Sequence, residues 1–312
     1  MKAATVLDAA AAAPLPLQAR LFDYAELIRL RIAVLVLFTV AAGAMLAAGG
    51  MPEPALLFHA VFGTALVASG ASALNQLMER HTDALMTRTE NRPLPGGRLA
   101  GGEVLALGVL LSLGGAIYLL VTLPSPLAAG IATFTLLTYV FLYTPLKCRT
   151  PLNTLVGAVP GALPPLIGWA AVRGAIDPEA LALFVIVFLW QVPHFLAIAW
   201  IYREQYGRAG LQMLPVVDPD GVRTGRQMIR YCLVLIPASL LPAVLGNAGL
   251  LYVVAAVALG LAFLASGRQF ARTSSDRQAR RVLRASLLYL PLLLLVLLLD
   301  EGLRQATLAM WR

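Results

Sequence analysis

Long apolar runs are the feature of this sequence that most restricts its fold. Nine of them are long enough to cross a bilayer, whose hydrocarbon core needs about 20 apolar residues per helix, and they occupy most of the 312-residue chain. Because lipid offers no hydrogen-bond partners, such segments must be helical. We therefore predict an all-α polytopic membrane protein with nine transmembrane helices. The predicted spans are 31–48, 55–75, 103–122, 125–144, 152–171, 180–200, 231–247, 250–266 and 285–299.

Three regions of the chain follow from these spans. Residues 1–30 are expected to form a cytosolic tail that ends in an interfacial helix over Leu21–Arg31. Residues 31–300 form a single transmembrane domain, and residues 301–312 form a short tail on the outside. The alanine-rich start has too few basic residues to resemble a signal or transit peptide.

The charges are distributed unequally across the predicted membrane. The chain is 59% apolar and 13% charged, and its 24 basic and 16 acidic residues give a net charge of +8. Of the basic residues, 21 lie in segments on one side and three, Arg173, Arg304 and Arg312, on the other. Basic residues favour the cytoplasmic side, which predicts a bacterial plasma (inner) membrane protein with its N-terminus in the cytoplasm and its C-terminus outside. This positive charge serves orientation in the lipid bilayer, and no nucleic-acid partner is needed.

The first group of polar residues lies where the second span gives way to Asn75, Glu79 and Asp83. In a continuous helix their four-residue spacing places the amide and both carboxylates on one face. Oxygen ligands suit Mg²⁺, which keeps coordination positions for phosphate oxygens. The pattern therefore predicts half of a metal–diphosphate site, with a solvated helix end as the alternative. The basic residues expected to bind the phosphates are Arg80, Arg88 and Arg92.

A second group follows the fourth span. Two prolines confine Lys147 and Arg149 to a short loop at the same membrane face as the first group. Both side chains are predicted either to bind diphosphate or to anchor the loop at lipid headgroups, and both interpretations stay open. The fifth span contains Pro160, Pro164 and Pro165 and is expected to kink.

A third group closes the sixth span. Gln191 and His194 are three residues apart, which predicts that they face roughly the same way. His194 is either a hydrogen-bonded core histidine or a ligand. Glu204 is a candidate for the second half of the metal site, facing the carboxylates of the first group, with a solvated loop acid as the alternative.

These motifs closely resemble the UbiA superfamily of intramembrane prenyltransferases. The resemblance covers most of residues 25–245. It implies a nine-helix bundle around a central cavity capped on the cytoplasmic side, in which the first acidic group holds Mg²⁺ and farnesyl diphosphate. The stretches that carry it are Asn75–Leu94, Tyr143–Trp169, Trp190–Phe195 and Ala209–Val216.

Within the superfamily the chain is most similar to the branch that farnesylates haem b. The resemblance implies transfer of the farnesyl group to a haem vinyl group with addition of water, and a haem A synthase or an oxidase assembly is a further expected partner. Relatives commonly have an acid directly before the tyrosine of the second motif, where this chain has Gln205, so the shifted Glu204 departs from the pattern. The expected catalytic residues are Asn75, Glu79, Asp83, Tyr143 and His194, and the expected haem contacts are Gln191, His194 and Asn153.

Two other functions stay open on the sequence. A UbiA enzyme that prenylates an aromatic quinone precursor would carry the same acidic motif. A transporter would place ionisable residues at mid-bilayer depth and show inverted repeats. Here the acids lie at cytosolic helix ends, which favours an enzyme.

Overall fold

A computed structural model describes residues 16–310 of the protein, without the side chains of residues 30–32 and 308–310. The predicted all-α fold is confirmed, since the described part of the chain is helical and contains no strand. The helices are α1 (Leu17–Leu27), α2 (Leu30–Ala48), α3 (Pro54–Asp83), α4 (Gly101–Thr122), α5 (Pro126–Leu137), a π-helix (Thr138–Tyr143), α6 (Thr144–Leu146), α7 (Asn153–Ala162), α8 (Pro164–Arg173), α9 (Pro178–Ile201), α10 (Arg203–Arg208), α11 (Leu214–Val217), α12 (Val222–Ala238), α13 (Leu241–Val244), α14 (Leu250–Thr273) and α15 (Asp276–Met310).

Eight helical segments of the described chain are long and apolar enough to cross a membrane. The first predicted span corresponds to α2, whose apolar part Ala33–Ala48 is shorter than these segments, so the count of nine stays a prediction. The eight segments are Pro54–Asp83, Gly101–Thr122, Pro126–Leu146, Asn153–Arg173, Pro178–Ile201, Val222–Val244, Leu250–Thr273 and Asp276–Thr307.

Prolines interrupt the fourth and fifth predicted spans. Helix α7 ends at Ala162 and α8 begins at Pro164, which confirms the kink expected in the fifth span. In the fourth span the last turns before Pro145 form a π-helix. Proline has no N–H to donate to the preceding turn, and Thr144 Oγ1 instead donates to the carbonyl of Tyr139 at 2.9 Å. Single π-helical turns are frequent at functional sites.

Small residues allow α2 and α8 to pack closely. A side chain added at Gly43 would collide with the backbone of Pro165, and one added at Gly168 would collide with the backbone of Val40. Two glycines therefore bring the helix backbones into contact, as is usual where helices pack within membranes.

Helix α1 is shorter at its C-terminal end than the predicted interfacial helix Leu21–Arg31. It ends at Leu27, whose carbonyl accepts hydrogen bonds from Gln76 Nε2 at 2.6 Å and Ser72 Oγ at 2.8 Å. Arg29 then adopts a left-handed conformation with φ of 50°. We attribute the end of α1 at Leu27 to these two hydrogen bonds from α3. The sequence of α1 alone does not reveal them. Residues 1–15 of the predicted tail and residues 311–312 lie outside the described residues, while α15 continues through most of the predicted tail 301–312.

The basic segments meet at one end of the helix bundle, which we call the basic end. The backbone N–H of Gln212 donates to the carbonyl of Lys147 at 2.7 Å, and Arg203 pairs with Asp276 at 2.7 Å. A small apolar core also joins these loops. Its members are Met86, Ala199, Tyr206, Ala209, Leu211 and Met213. The loops of the basic end are 84–100, 147–152, 209–213 and 274–275.

Candidate active site

Helix α3 continues without a break to Asp83 and carries the first acidic group. Asn75 and Asp83 are buried, and the Glu79 side chain is 13% exposed. Because the helix is continuous, the four-residue spacing keeps all three side chains on one face. The structure therefore brings these three predicted residues onto one face, on a helix that continues eight residues beyond the predicted end of the span.

The orientation of the Asn75 amide is set by the π-helical turn. Its Nδ2 donates to Thr144 Oγ1 at 3.0 Å, and that hydroxyl in turn donates to the carbonyl of Tyr139. Asn75 Oδ1 is buried and accepts no hydrogen bond from the described residues. An unsatisfied buried oxygen is costly, so a ligand at this position would have a free acceptor on Asn75.

Both carboxylates of the first group form ion pairs that are largely shielded from solvent. Lys147 Nζ lies 2.7 Å from Glu79 Oε1, and Arg92 Nη1 lies 2.6 Å from Asp83 Oδ2. The Lys147 ammonium also lies 4.6 Å from the centroid of the Tyr143 ring. Charges in such a site interact more strongly than in water, because the local dielectric constant is lower. Arg92 and Lys147, both predicted to bind diphosphate, thus lie beside the carboxylates of the first group, and their binding of diphosphate stays a prediction.

The surroundings of Arg92 disfavour its positive charge. Burial lowers the pKa of Arg92, the nearby Arg29 lowers it further, and the Asp83 carboxylate opposes both effects. The net direction is downward, although a guanidinium stays protonated at neutral pH. A further anion near Arg92 and Arg29 would therefore be stabilised, which favours phosphate oxygens at this position.

Arg88 lies at the same end of the bundle but contacts α10 and the residue before it. Its guanidinium stacks 4.4 Å from the centroid of the Tyr202 ring and donates to Tyr206 Oη at 3.1 Å. Its backbone N–H donates to Gln205 Oε1 at 3.2 Å. Tyr202, Gln205 and Tyr206 were absent from the predicted site. Their positions, with two tyrosines four residues apart, are the signal in the sequence that would have identified this contact.

Two predicted phosphate-binding residues lie outside the cluster. Arg80 is exposed and its guanidinium contacts His81, and Arg149 is also exposed. Arg80 follows Glu79 by one residue, and a single step turns a helical side chain by about 100°. The structure thus separates Arg149 from Lys147, which the sequence had placed together.

Glu204 is not brought to the acidic group. Its side chain is 76% exposed, and its nearest basic partner is Arg208 at 3.9 Å. Helix α9 ends at Ile201 and α10 starts at Arg203, so the helical phase is reset before Glu204. The adjacent Gln205 faces the loop of the first group instead. This position matches the alternative interpretation of Glu204 as a solvated loop acid, and its role as a metal ligand stays an untested prediction.

Gln191 and His194 lie three residues apart on the continuous helix α9, about 60° from each other around its axis, but they contact different helices. Gln191 Nε2 donates to the carbonyl of Val187 at 3.2 Å and its side chain packs against Gly161 of α7. His194 Nδ1 lies 2.7 Å from Ser286 Oγ of α15. This hydrogen bond matches the interpretation of His194 as a hydrogen-bonded core histidine.

Asn153 connects two loops of the basic end. Its Nδ2 donates to the carbonyl of Gln212 at 2.9 Å and to the carbonyl of Thr150 at 2.6 Å. Its amide is therefore committed to holding loop 209–213 against loop 147–152. That Gln191, His194 or Asn153 contacts haem stays a prediction.

The donor set of the acidic group suits a hard cation that shares its coordination with a substrate. Within the described residues no cluster contains three or more His, Cys, Asp or Glu side chains placed to hold a metal. Asn75 and two carboxylates supply oxygen donors only, which is the chemistry that Mg²⁺ prefers. Mg²⁺ binds few protein groups when phosphates complete its shell, so this small set fits.

Comparisons with known proteins identify the family and the fold. A profile of the UbiA prenyltransferase family matches residues 36–294. The chain is 49% identical over 291 residues to the protoheme IX farnesyltransferase of Solibacter usitatus (strain Ellin6076), covering 89% of this chain and 98% of that protein. It is 43% identical over 290 residues to the protoheme IX farnesyltransferase of Koribacter versatilis (strain Ellin345), covering 89% and 93%.

Two solved structures share the fold. A digeranylgeranylglyceryl phosphate synthase superposes with a TM-score of 0.76 at 17% identity, covering 91% of this chain and 99% of that one. A UbiA homolog from Archaeoglobus fulgidus bound to GPP and Mg²⁺ superposes with a TM-score of 0.58 at 19% identity, covering 88% and 99%. At these identities the likeness establishes the architecture and leaves the substrate to other arguments.

Proposed function

The chain belongs to the UbiA prenyltransferase family, and we propose that it transfers the farnesyl group of farnesyl diphosphate to a vinyl group of haem b, with addition of water, to give haem O. The observation that carries this proposal is the buried acidic face of α3, where Asn75 Oδ1 has a free acceptor beside two ion-paired carboxylates. The choice of haem as acceptor is supported by the names of relatives at 49% and 43% identity.

The reaction separates two charges that the site must stabilise. The allylic carbon–oxygen bond of farnesyl diphosphate breaks and leaves diphosphate and a delocalised carbocation. A carbon–carbon bond then forms with the terminal vinyl carbon of haem b. The oxygen of water adds to the neighbouring vinyl carbon and one proton is released. Catalysis therefore needs cations near the leaving group and a dry, electron-rich wall near the carbocation.

We propose that the two ion pairs of the acidic group break when diphosphate binds, and that their cations then pair with the diphosphate. Lys147 and Arg92 neutralise Glu79 and Asp83 in the structure described here. Diphosphate carries a larger negative charge than either carboxylate and offers several oxygens to these two cations. The carboxylates that they release would then be free to hold Mg²⁺ together with Asn75 Oδ1. Bound Mg²⁺ supplies Lewis-acid stabilisation of the departing diphosphate. The charge of Arg88 is near enough to Arg92 to lower its pKa, and we propose that Arg88 contacts the same anion.

Aromatic rings are proposed to shelter the carbocation. The Tyr139 and Tyr143 rings lie 5.5 Å apart in the π-helical turn that also holds Thr144 and Asn75. The face of Tyr143 already accepts the Lys147 ammonium. Since that face attracts one cation, it is suited to stabilise another when Lys147 moves to diphosphate.

The membrane location follows the same proposal. The eight apolar helical segments support an integral membrane protein. We propose the plasma (inner) membrane of a bacterium, with the basic end and the N-terminus in the cytoplasm and the C-terminus outside. Farnesyl diphosphate and water reach the basic end from the cytoplasm, and haem b reaches it from the bilayer. A haem A synthase or an oxidase assembly is the proposed recipient of the product.

The test is a reaction with purified protein, haem b, farnesyl diphosphate and Mg²⁺, followed by chromatography and mass measurement of the haem. A more hydrophobic haem, heavier by one farnesyl group and one hydroxyl group, is the expected product. Unchanged haem together with prenylated 4-hydroxybenzoate would move the chain to the quinone-directed branch. Uptake of a solute into vesicles without any product would favour a transporter.

A further inference from the structure

Four arginines at the start of α15 line a cavity of about 410 Å³ at the basic end, separate from the acidic site. All four are exposed, and the ion pairs among the described residues give none of them a carboxylate partner. The nearest acid along the chain, Asp276, pairs with Arg203. Four like charges on two helical turns repel one another, so an anion would be stabilised among them. The four residues are Arg277, Arg280, Arg281 and Arg284.

One of the arginines is oriented by neutral groups. Arg281 Nη1 donates to Gln278 Oε1 at 3.2 Å and to Gln269 Oε1 of α14 at 3.3 Å. These amides position the guanidinium without neutralising it. A charged, pre-oriented guanidinium is the group that binds phosphate oxygens in pairs.

The arginine face of α15 continues directly into a face of exposed leucines. Leu288 follows Arg277, and Leu295 follows Arg284, by about three helical turns, so each pair shares a side of the helix. Leu288 is 61% exposed and Leu299, further along this side, is 63% exposed. The opposite side of α15 is packed in the core. Its buried residues are Ala279, Val282, Ser286, Tyr289, Leu290, Leu293, Leu294 and Leu297.

We propose that this arginine cavity binds the phosphate headgroup of an anionic phospholipid, whose acyl chains lie along the exposed leucines of α15. The continuity of the cationic and apolar surfaces favours a lipid as the ligand. A soluble phosphate would contact the arginines but has no apolar chain to pack against the leucines. Basic pockets at the cytoplasmic edge of membrane helices suit such headgroups.

The chain contains a matched control for general attraction between basic residues and anionic lipid. Arg223, Arg226 and Arg230 are exposed on α12, at the same end of the bundle and with similar helical spacing. They contribute to the positive charge of the basic end but do not line the cavity. Replacing three arginines on either helix removes the same charge.

The experiment measures lipid that stays bound to the full-length protein after transfer from mixed phosphatidylglycerol and phosphatidylcholine bilayers into detergent, using native mass spectrometry. Wild type is expected to retain phosphatidylglycerol selectively. The triple variant R277Q/R280Q/R284Q is expected to lose most of that selectivity, and R223Q/R226Q/R230Q is expected to keep it. Equal retention by both variants and wild type, or equal loss in both variants, would overturn the proposal.

A second measurement covers the case in which the α15 variant fails to fold. The thermal midpoint of wild-type protein is compared in phosphatidylcholine, in phosphatidylglycerol and in phosphatidylcholine with inorganic phosphate. A rise only with phosphatidylglycerol is expected, because a ligand that binds the native state raises its stability. The same rise with inorganic phosphate would indicate a soluble-anion site, and no rise in either would exclude specific binding; both results reject the lipid.

Discussion

The end of α3 and the junction of α9 with α10 both carry acids and amides at the basic end, yet they differ in how their side chains are placed. In α3 the helix is continuous, and Asn75, Glu79 and Asp83 share one face. At the junction the helix ends at Ile201 and restarts at Arg203, and Glu204 faces solvent. Helical spacing therefore places side chains reliably only while one set of backbone hydrogen bonds continues.

Contacts with other elements differ between these two regions and explain why only the acids of α3 are ion-paired and shielded. The carboxylates of α3 pair with Lys147 and Arg92, both of which lie outside that helix. The junction instead offers Gln205 and the rings of Tyr202 and Tyr206 to Arg88. We propose that the first region binds an anion and a metal, whereas the second contacts Arg88 in the loop that follows α3. Four substitutions test this division.

The largest effect is expected for Asp83→Asn. The change leaves Arg92 without its counter-charge and removes an oxygen donor from the metal site, so turnover should fall on the order of 100-fold or more. The measurement is the rate of farnesyl transfer, with the amount of protein in the membrane fraction as a check on insertion. The exposed acid Glu90, replaced by Gln, is the control and should keep the wild-type rate. Full activity of Asp83→Asn would remove this carboxylate from the site.

The next comparison concerns two neighbouring cations that the sequence treats alike. Lys147→Gln removes the partner of Glu79 and a charge for diphosphate, whereas Arg149 is exposed. A charged hydrogen bond contributes about 1.5–3 kcal/mol, so Lys147→Gln should lower kcat/KM for farnesyl diphosphate roughly 10–100-fold. Arg149→Gln should change it by less than about twofold. Equal losses in the two variants would show that the exposed position also binds substrate.

A smaller effect should separate Gln205 from Glu204. Gln205→Ala removes the acceptor for the Arg88 backbone N–H, and a neutral hydrogen bond contributes about 0.5–1.5 kcal/mol. Turnover should therefore fall by up to about tenfold, with the Mg²⁺ dependence unchanged. Glu204→Ala should leave both quantities near wild type, because its side chain lies in solvent. A higher Mg²⁺ requirement in Glu204→Ala would restore it as a metal ligand in the substrate complex.

The smallest effect on catalysis is expected for His194→Ala. His194 contacts Ser286 and its ring stacks on Trp190 with 5.0 Å between ring centroids. Loss of these contacts should lower the thermal midpoint by a few degrees and reduce turnover only slightly. Ser286→Ala removes the same hydrogen bond from the other side and should have a similar effect. If His194→Ala alone abolished the absorption change of bound haem, His194 would be an iron ligand.

The long spans could be predicted because each is a long run of apolar residues that contrasts strongly with the polar segments on either side. The acidic face of α3 could also be predicted, because α3 is a continuous helix of 30 residues and residues four apart in it lie on the same face. The end of α1 was not, because hydrogen bonds from Ser72 and Gln76 terminate that helix. The different partners of Gln191 and His194 were not predictable either, because they depend on which helix packs beside each residue.

By itself the sequence determined that this protein is a helical membrane protein, which of its ends is basic and which helix carries its acidic face, because hydropathy and helical period are properties of the chain alone. Only the tertiary structure decided which cations meet the carboxylates, leaving Arg80 and Arg149 in solvent while Arg92 and Lys147 are enclosed. The physical reason is that an ion pair depends on the distance between groups on different elements. Such distances follow from packing, and a single helical step of about 100° is enough to exchange a buried partner for an exposed one.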